Sequence, residues 1–340
     1  MKAAIWYGGK EIRIEEVPKP DPGPNDVLVR VKAAGICGSD LHAYEGISKR
    51  RVPPLIMGHE IAGEIAEIGG HVEGSQIGDR VVIQPVLSCG ECEQCRSGNE
   101  NVCRNIRFLG LHVPGGFAEY VMAPARNCYT MPSRLRFEEA CLAEPLSVAV
   151  HVVNNVPVGV NGTILIVGAG VVGSMVTQVA RLRTSGKIIV TDILDSRLDL
   201  AKKLGADIMI NPQKKNVAEE IHRITGGRGV DVSIEVVGIE STVQDALASV
   251  KKGGTTIAIG LLEKSMKIDV MRLVSSELKL LGSYLYNDCD FRSSINLIAE
   301  GKVNLQPYLT RILALDDALK GFGEMATNKE KILKVILRPY

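Results

Sequence analysis

Thr163-Ile164-Leu165-Ile166-Val167-Gly168-Ala169-Gly170-Val171-Val172-Gly173 is the stretch on which the fold turns. Its first five residues form a short, wholly apolar strand, as expected of a strand buried on both faces. The glycines then follow G-x-G-x-x-G, and Val171–Arg183 has the composition of a helix. In that strand–turn–helix context each glycine has a task. Gly168 makes the tight turn, Gly170 lets a pyrophosphate approach the backbone at the helix N-terminus, and Gly173 lets helix and strand pack closely. Val171 and Val172 open the helix. Working outward, Lys187–Thr191 reads as a second strand, followed by a helix through Leu204 that stops at Gly205. Val230–Val236 and Thr255–Ile259 read as two more strands. Apolar strands alternating with helices predict an α/β doubly wound parallel sheet of the Rossmann type. Asp192 ends the second strand, 24 residues after Gly168. A carboxylate there suits both ribose hydroxyls of an adenosine and repels a 2′-phosphate, so NAD is expected over NADP. Arg197, five residues on, is able to accept a 2′-phosphate or to stack on the adenine. A doubly wound domain without cofactor is the plainer alternative.

Toward the N-terminus the texture changes to short strands and loops. Asp26–Val31 alternates with period two, Arg80–Ile83 follows the turn Gly78-Asp79, and Pro18, Pro20, Pro22 and Pro24 mark an extended connector. Within this region lie Cys89, Cys92, Cys95 and Cys103, spaced C-x2-C-x2-C-x7-C and making up half of the chain's eight cysteines. Four soft ligands on a loop suit a tetrahedral zinc ion with every position filled by protein. An iron–sulfur run would end C-x3-C-P, whereas here the last gap is seven and Arg104 follows. Disulfides are the remaining alternative. Cys37, His59, Glu60 and Glu144 are also zinc-ligand types, and scattered over distant loops they would leave room for a water or a substrate. Ligand type alone does not choose among the other histidines, His42, His71, His112, His151 and His222.

The chain has 340 residues, and 40 basic against 39 acidic side chains leave a net charge of +1. With no basic patch, nucleic acid and anionic membrane are not expected partners. The start, Met1-Lys2-Ala3-Ala4-Ile5-Trp6, does not resemble a signal peptide, and no apolar run reaches membrane-spanning length. A cytoplasmic location is expected, where cysteines stay reduced and metal is favoured over disulfide. Beyond residue 285 the pattern is mixed: a helix near Phe291–Glu300, an amphipathic helix from Asp316, and a strand over Lys331–Leu337. Leu278–Leu285 reads as a late apolar strand at the sheet edge. Cys128, Cys141 and Cys289 read as small buried residues.

The stretch Gly58-His59-Glu60-x-x-Gly63-x5-Gly69-x-x-Val72 resembles, position for position, the zinc signature of the medium-chain alcohol dehydrogenase family. The four-cysteine loop and the glycine turn fall where that family has them. Glu144-Pro145-Leu146-Ser147-Val148 is most similar to the polyol branch, since classical members carry cysteine and threonine dehydrogenases aspartate in place of Glu144. The resemblance implies a mainly β, GroES-like catalytic domain over residues 1–149 and 286–340, with a dinucleotide-binding domain over 150–285. It implies two zinc ions per chain. Cys37 and His59 would bind the catalytic one, with Glu60 and Glu144 as direct or water-mediated ligands, and the cysteine loop would bind the structural one. Ser39 would pass the alcohol proton on and His42 would continue the relay, while Asp40 would orient an imidazole ligand. Val171, Val172, Asp192 and Arg197 would contact the cofactor, Ile259, Gly260, Leu261 and Leu285 would lie near the nicotinamide, and Ala43, Glu144 and Tyr286 near the substrate. Sorbitol dehydrogenases have a tyrosine where this chain has Ala43 and an arginine where it has Leu285, so a vicinal diol, another sugar alcohol or a sugar acid fits better than sorbitol. Hydride transfer from a secondary alcohol to NAD+ is the expected reaction. Action on L-threonine or a sugar acid is the first alternative, and a non-catalytic NAD(H)-binding protein the second. A homodimer or homotetramer is implied.

Overall fold

The computed structural model describes residues 1–262 and 265–339. The chain forms two compact units, Met1–Ser147 with the segment from Tyr286 onward, and Val148–Leu285. The boundary falls inside the continuous helix Ala143–Asn154.

In the second unit six parallel strands lie in the order Ile208–Ile210, Ile188–Thr191, Ile164–Val167, Val230–Glu235, Val250–Ala258, Lys279–Gly282. The order reverses beside Ile164–Val167, the point at which an open α/β sheet presents a crevice to a ligand. All four residues of that strand are buried, as are those of Ile188–Thr191. This explains why both read as unbroken apolar runs rather than alternating ones. Val171–Arg183 is a helix over the span expected. The strand expected at Thr255–Ile259 begins earlier, at Val250, and ends at Ala258. The edge strand covers only Lys279–Gly282 of the expected Leu278–Leu285, and Leu285 has a left-handed backbone with φ of 51°.

In the first unit the eleven-residue strand Asp26–Ile36 is the axis. It pairs antiparallel with Glu60–Ile68, Tyr120–Pro124 and Val335–Arg338. Register sets Gly35 opposite Glu60 and Ile36 opposite Val335. An N-terminal signature and the C-terminal strand therefore meet at one end of Asp26–Ile36. Around this sheet lies a core that includes Val29, Val31, Ile61, Ile83, Phe117 and Phe322. Two C-terminal boundaries differ from expectation. The helix begins at Ala318 after the 3-10 turn Leu315–Asp317, and the strand begins at Val335, since Lys331 pairs back to Asn328 in a turn. Cys141 is buried, but Cys289 is exposed. On its helix, Asp288–Ala299, the buried face is Asp290, Phe291, Ser294, Ile295 and Ile298, and Cys289 falls off that stripe. Among the described residues no helix is long and apolar enough to cross a membrane.

Candidate metal centre and cofactor turn

Three residues far apart in sequence meet in the first unit. Cys37 caps the helix Gly38–Tyr44, while His59 and Glu60 lead into the strand Glu60–Ile68. Ligand atoms of Cys37, His59 and Glu60 lie within 4.8 Å of one another. The cap is built by the chain itself: Cys37 Sγ accepts from Ser39 N at 3.5 Å, and Asp40 Oδ2 accepts from Cys37 N at 3.0 Å. Asp40 Oδ1 lies 3.4 Å from His59 Nδ1. Burial opposes ionisation of Asp40, but the neighbouring His59 and Arg51 charges hold its carboxyl down to about 2. His42 is half-buried on the same helix, and burial lowers its pKa.

Glu60 is fully buried, with one carboxylate oxygen paired to the Lys334 ammonium, which also donates to Ile36 O at 3.0 Å. Its Oε2 is buried and has no hydrogen-bond partner. A Cβ on Gly35 would sit 2.0 Å from that oxygen, so glycine is what leaves it room. A buried carboxylate oxygen without a partner is costly unless a ligand or water satisfies it. A cysteine sulfur, an imidazole and a carboxylate on one site suit a divalent cation with an open position.

Glu144 is not among the three convergent groups. It sits buried in the first turn of Ala143–Asn154, where Tyr286 Oη donates to its Oε1 at 2.9 Å. Burial and the Glu60 charge raise the Glu144 pKa to about 7 against the opposing pull of His59 and Tyr286. Tyr286 has no exposed surface, and Ala43 is 1% exposed within the core. Tyr286 therefore holds Glu144, and Ala43 presents no surface.

The four cysteines form a second cluster. Their sulfurs are separated by 3.5 Å for the 92/95 and 89/103 pairs and by 3.9 Å for 89/95 and 92/103. None forms a disulfide. A tetrahedron with metal–sulfur bonds of about 2.3 Å has edges of about 3.8 Å. Backbone N–H groups of Cys92, Cys89 and Asn105 point at Cys89 Sγ and Cys103 Sγ at 3.3 to 3.4 Å. Such donors stabilise thiolates.

In the second unit Gly168 has φ of 103°, and a Cβ on Gly173 would meet Gly168 O at 1.9 Å. Gly170 is the N-cap of the helix that Val171 and Val172 open. Asp192 stands just past the strand Ile188–Thr191, its Oδ2 accepting from Ala169 N at 2.8 Å and its Oδ1 from Leu194 N at 2.9 Å. Arg197 Nη1 is 3.8 Å from Asp192 Oδ2, and Arg197 Nε is buried without a hydrogen-bond partner. Ile259 N donates to Glu235 O at 2.9 Å, a Cβ on Gly260 would lie 2.1 Å from Gly238 N, and Leu261 is exposed.

Two residues central to the metal centre escaped the sequence reading. Arg51 is buried against Ser39 and Asp40, and Lys334 is buried against Glu60. Neither lies in a spaced motif. Strand register brings Lys334 in, and a turn of the 47–54 loop brings Arg51.

The sequence profile of the alcohol dehydrogenase GroES-like domain matches residues 23–133, and that of zinc-binding dehydrogenases matches residues 171–300. Sorbitol dehydrogenase of Bacillus subtilis (strain 168) is 38% identical over 344 aligned residues, spanning 100% of this chain and 97% of the relative. L-threonine 3-dehydrogenase of Pyrococcus horikoshii is also 38% identical, over 91% of this chain and 89% of the relative. Among solved structures, a zinc-binding dehydrogenase from Sinorhizobium meliloti 1021 bound to NADP superposes with a TM-score of 0.92 at 33% identity, covering 99% of both chains.

Proposed function

The chain belongs to the zinc-dependent medium-chain alcohol dehydrogenase family, and on that premise we propose that it oxidises a secondary alcohol of the polyol or vicinal-diol class to a ketone, with NAD+ as hydride acceptor. The observation that carries the reading is the convergence of ligand atoms of Cys37, His59 and Glu60 within 4.8 Å of one another. Zinc held by Cys37 and His59, with Glu60 or Glu144 completing the set, would supply the Lewis acidity that lowers the pKa of a substrate hydroxyl. A second zinc on Cys89, Cys92, Cys95 and Cys103 would be structural.

The remaining work falls to side chains. Ser39 Oγ accepts a hydrogen bond from Arg51 at 3.2 Å, which leaves its own O–H free to hand a proton onward, with His42 as the next carrier. Asp40 aims His59. Tyr286 fixes Glu144 through the hydrogen bond from its Oη to Glu144 Oε1. Asp192 favours NAD+, because a 2′-phosphate would approach a carboxylate whose two oxygens already serve backbone N–H groups. A cytoplasmic homodimer or homotetramer completes the proposal.

Initial rates of NAD+ reduction on sorbitol, xylitol, other sugar alcohols, 2,3-butanediol, L-threonine and aldonic acids, each with and without a zinc chelator, test it. A chelator-sensitive rate on one diol or sugar alcohol far above the rest is expected. A dominant rate on L-threonine or an aldonic acid would replace the substrate class. No rate on any of them, with NADH binding intact, would favour the non-catalytic reading.

A further inference from the structure

Arg51 is a buried cation in an otherwise solvent-facing loop: it is 6% exposed, whereas Arg50 and Val52 on either side are exposed. All three of its guanidinium nitrogens are engaged. Nε donates to Gly110 O at 3.0 Å and Nη1 to Ser39 O at 2.9 Å. Nη2 reaches Ser39 Oγ at 3.2 Å and Asp40 Oδ1 at 2.6 Å. Asp40 Oδ1 is the same oxygen that stands 3.4 Å from His59 Nδ1, which has no hydrogen-bond partner and so meets the carboxylate through charge alone, and Asp40 Oδ2 is taken by Cys37 N at 3.0 Å. One planar fork thus fixes the hydroxyl assigned to the proton path and the carboxylate that aims the imidazole. We propose that Arg51 is a positioning residue for both. It holds Ser39 Oγ as an acceptor so that its O–H points away from the fork, and it locks the rotamer of Asp40, and through Asp40 the His59 ring. The inference rests on the reading above of Ser39 as proton carrier and His59 as metal ligand. A merely structural role, tying the 47–54 loop to the main chain at Gly110 and Ser39, would draw on the Nε and Nη1 contacts alone and leave the two Nη2 contacts without a task.

Lysine is a point charge on a flexible stem and does not reproduce a fork with four acceptors, whereas glutamine removes the charge as well. The test compares Arg51→Gln and Arg51→Lys with the wild-type holoenzyme, using two readouts. The first is zinc release to a chromophoric chelator. Arg51→Gln is expected to speed release of one ion about 10-fold while leaving the ion on the four cysteines unchanged, the usual effect of removing a group behind a metal ligand. The second is kinetics. kcat is expected to fall about 10- to 100-fold, with KM for the alcohol and NADH affinity within about threefold. Arg51→Lys is expected to recover most of the metal retention, because it restores a cation beside Asp40, but not kcat. Should Arg51→Gln fail to fold, the slow turnover of Arg51→Lys with retained metal carries the test. Release and kcat both within about twofold of wild type in a folded Arg51→Gln protein, even with a lowered Tm, would reduce Arg51 to a loop tie and overturn the proposal. If wild-type protein oxidises no alcohol, the functional reading fails, while the release experiment still decides whether Arg51 positions Asp40 and His59.

Discussion

Lys334 shows how much one side chain can hold at this centre. It is 1% exposed, and among the described residues its anionic hydrogen-bond partner is Glu60, which is fully buried. Burial lowers the ammonium pKa, but the Glu60 charge, the hydrogen bond to Glu60 and the neighbouring cysteines together outweigh it and leave it raised. Breaking such a pair leaves an uncompensated buried charge, which costs about 3–5 kcal/mol. Lys334→Met is therefore expected to destabilise the first unit by about that amount in urea denaturation, with Lys334→Arg much milder. Equal stability of the Met variant would mean that Glu60 is neutral or otherwise satisfied. Asp192 gives a second test at this scale. Because it serves Ala169 N and Leu194 N, Asp192→Ser should both loosen the glycine turn and remove the charge facing a 2′-phosphate. Roughly a 10-fold loss of NADH affinity is expected, with a smaller loss or a gain for NADPH, read by cofactor fluorescence titration. Asp192 was visible in the sequence because a motif counts residues to it. Arg51 and Lys334 were not, because each depends on a contact between segments that no local spacing encodes.

At the scale of elements, close backbone approaches fix where His59 stands. Gly58 has φ of 92°, and a Cβ on Gly115 would lie 2.1 Å from Gly58 O and 2.6 Å from Gly110 Cα. These are backbone atoms, so the loops themselves must part to admit a methyl group. Gly115→Ala is expected to cost about 1–3 kcal/mol and to weaken metal retention at the His59 site, as measured by denaturation and by zinc content after dialysis. In the second unit Asp231 ties two strands at one end: its Oδ2 accepts from Thr163 N at 2.8 Å, and Arg228 and Lys251 flank it. Burial pushes its pKa up, but Lys251, the Thr163 N–H and Arg228 outweigh burial and leave it lowered. The unfolded chain then binds the proton more readily than the folded one, so the stabilisation is present above the unfolded value of about 4 and is lost as pH falls through the folded value. Asp231→Asn should be less stable than wild type near neutrality, and the gap should close with acidification in urea melts at stepped pH. A constant gap would mean that the carboxylate charge is not the source. The four strands and two helices read along 163–259 were legible because the period and the glycine stops agree, whereas the short strand Ile208–Ile210 and the helices Val217–Ile224 and Glu240–Ser249 were not read. The ends were not, since Val250, Ala318 and Val335 start elements where hydrogen-bond partners become available rather than where composition changes.

For the molecule as a whole, the first unit is assembled from two distant stretches of chain, and the later one supplies both Tyr286 and Lys334. The sequence showed that residues beyond 285 differ in texture from the doubly wound region. Their contribution of a carboxylate holder and a buried cation depended on the pairing of Val335 with Ile36, a tertiary fact. Both candidate metal clusters lie in this unit, so its stability should be tied to metal while that of Val148–Leu285 is not. A ligand present at a thousand times its dissociation constant stabilises the folded state by about 4 kcal/mol, and in a domain of this size each kcal/mol is worth about 2–4 °C. Stripping with ortho-phenanthroline is therefore expected to lower the transition of the metal-bearing unit by roughly 10 °C. Hydrogen exchange followed by peptide mass spectrometry would show faster exchange across residues 1–147 and 286–339, with 148–285 unchanged. The variant Cys92→Ser with Cys95→Ser separates the two sites. It should reproduce the exchange increase around residues 89–103 while NAD+-linked activity, if the other ion stays in place, falls much less than on stripping. Uniform exchange increases across both units would instead mean that the metal sites stabilise the chain as one cooperative body.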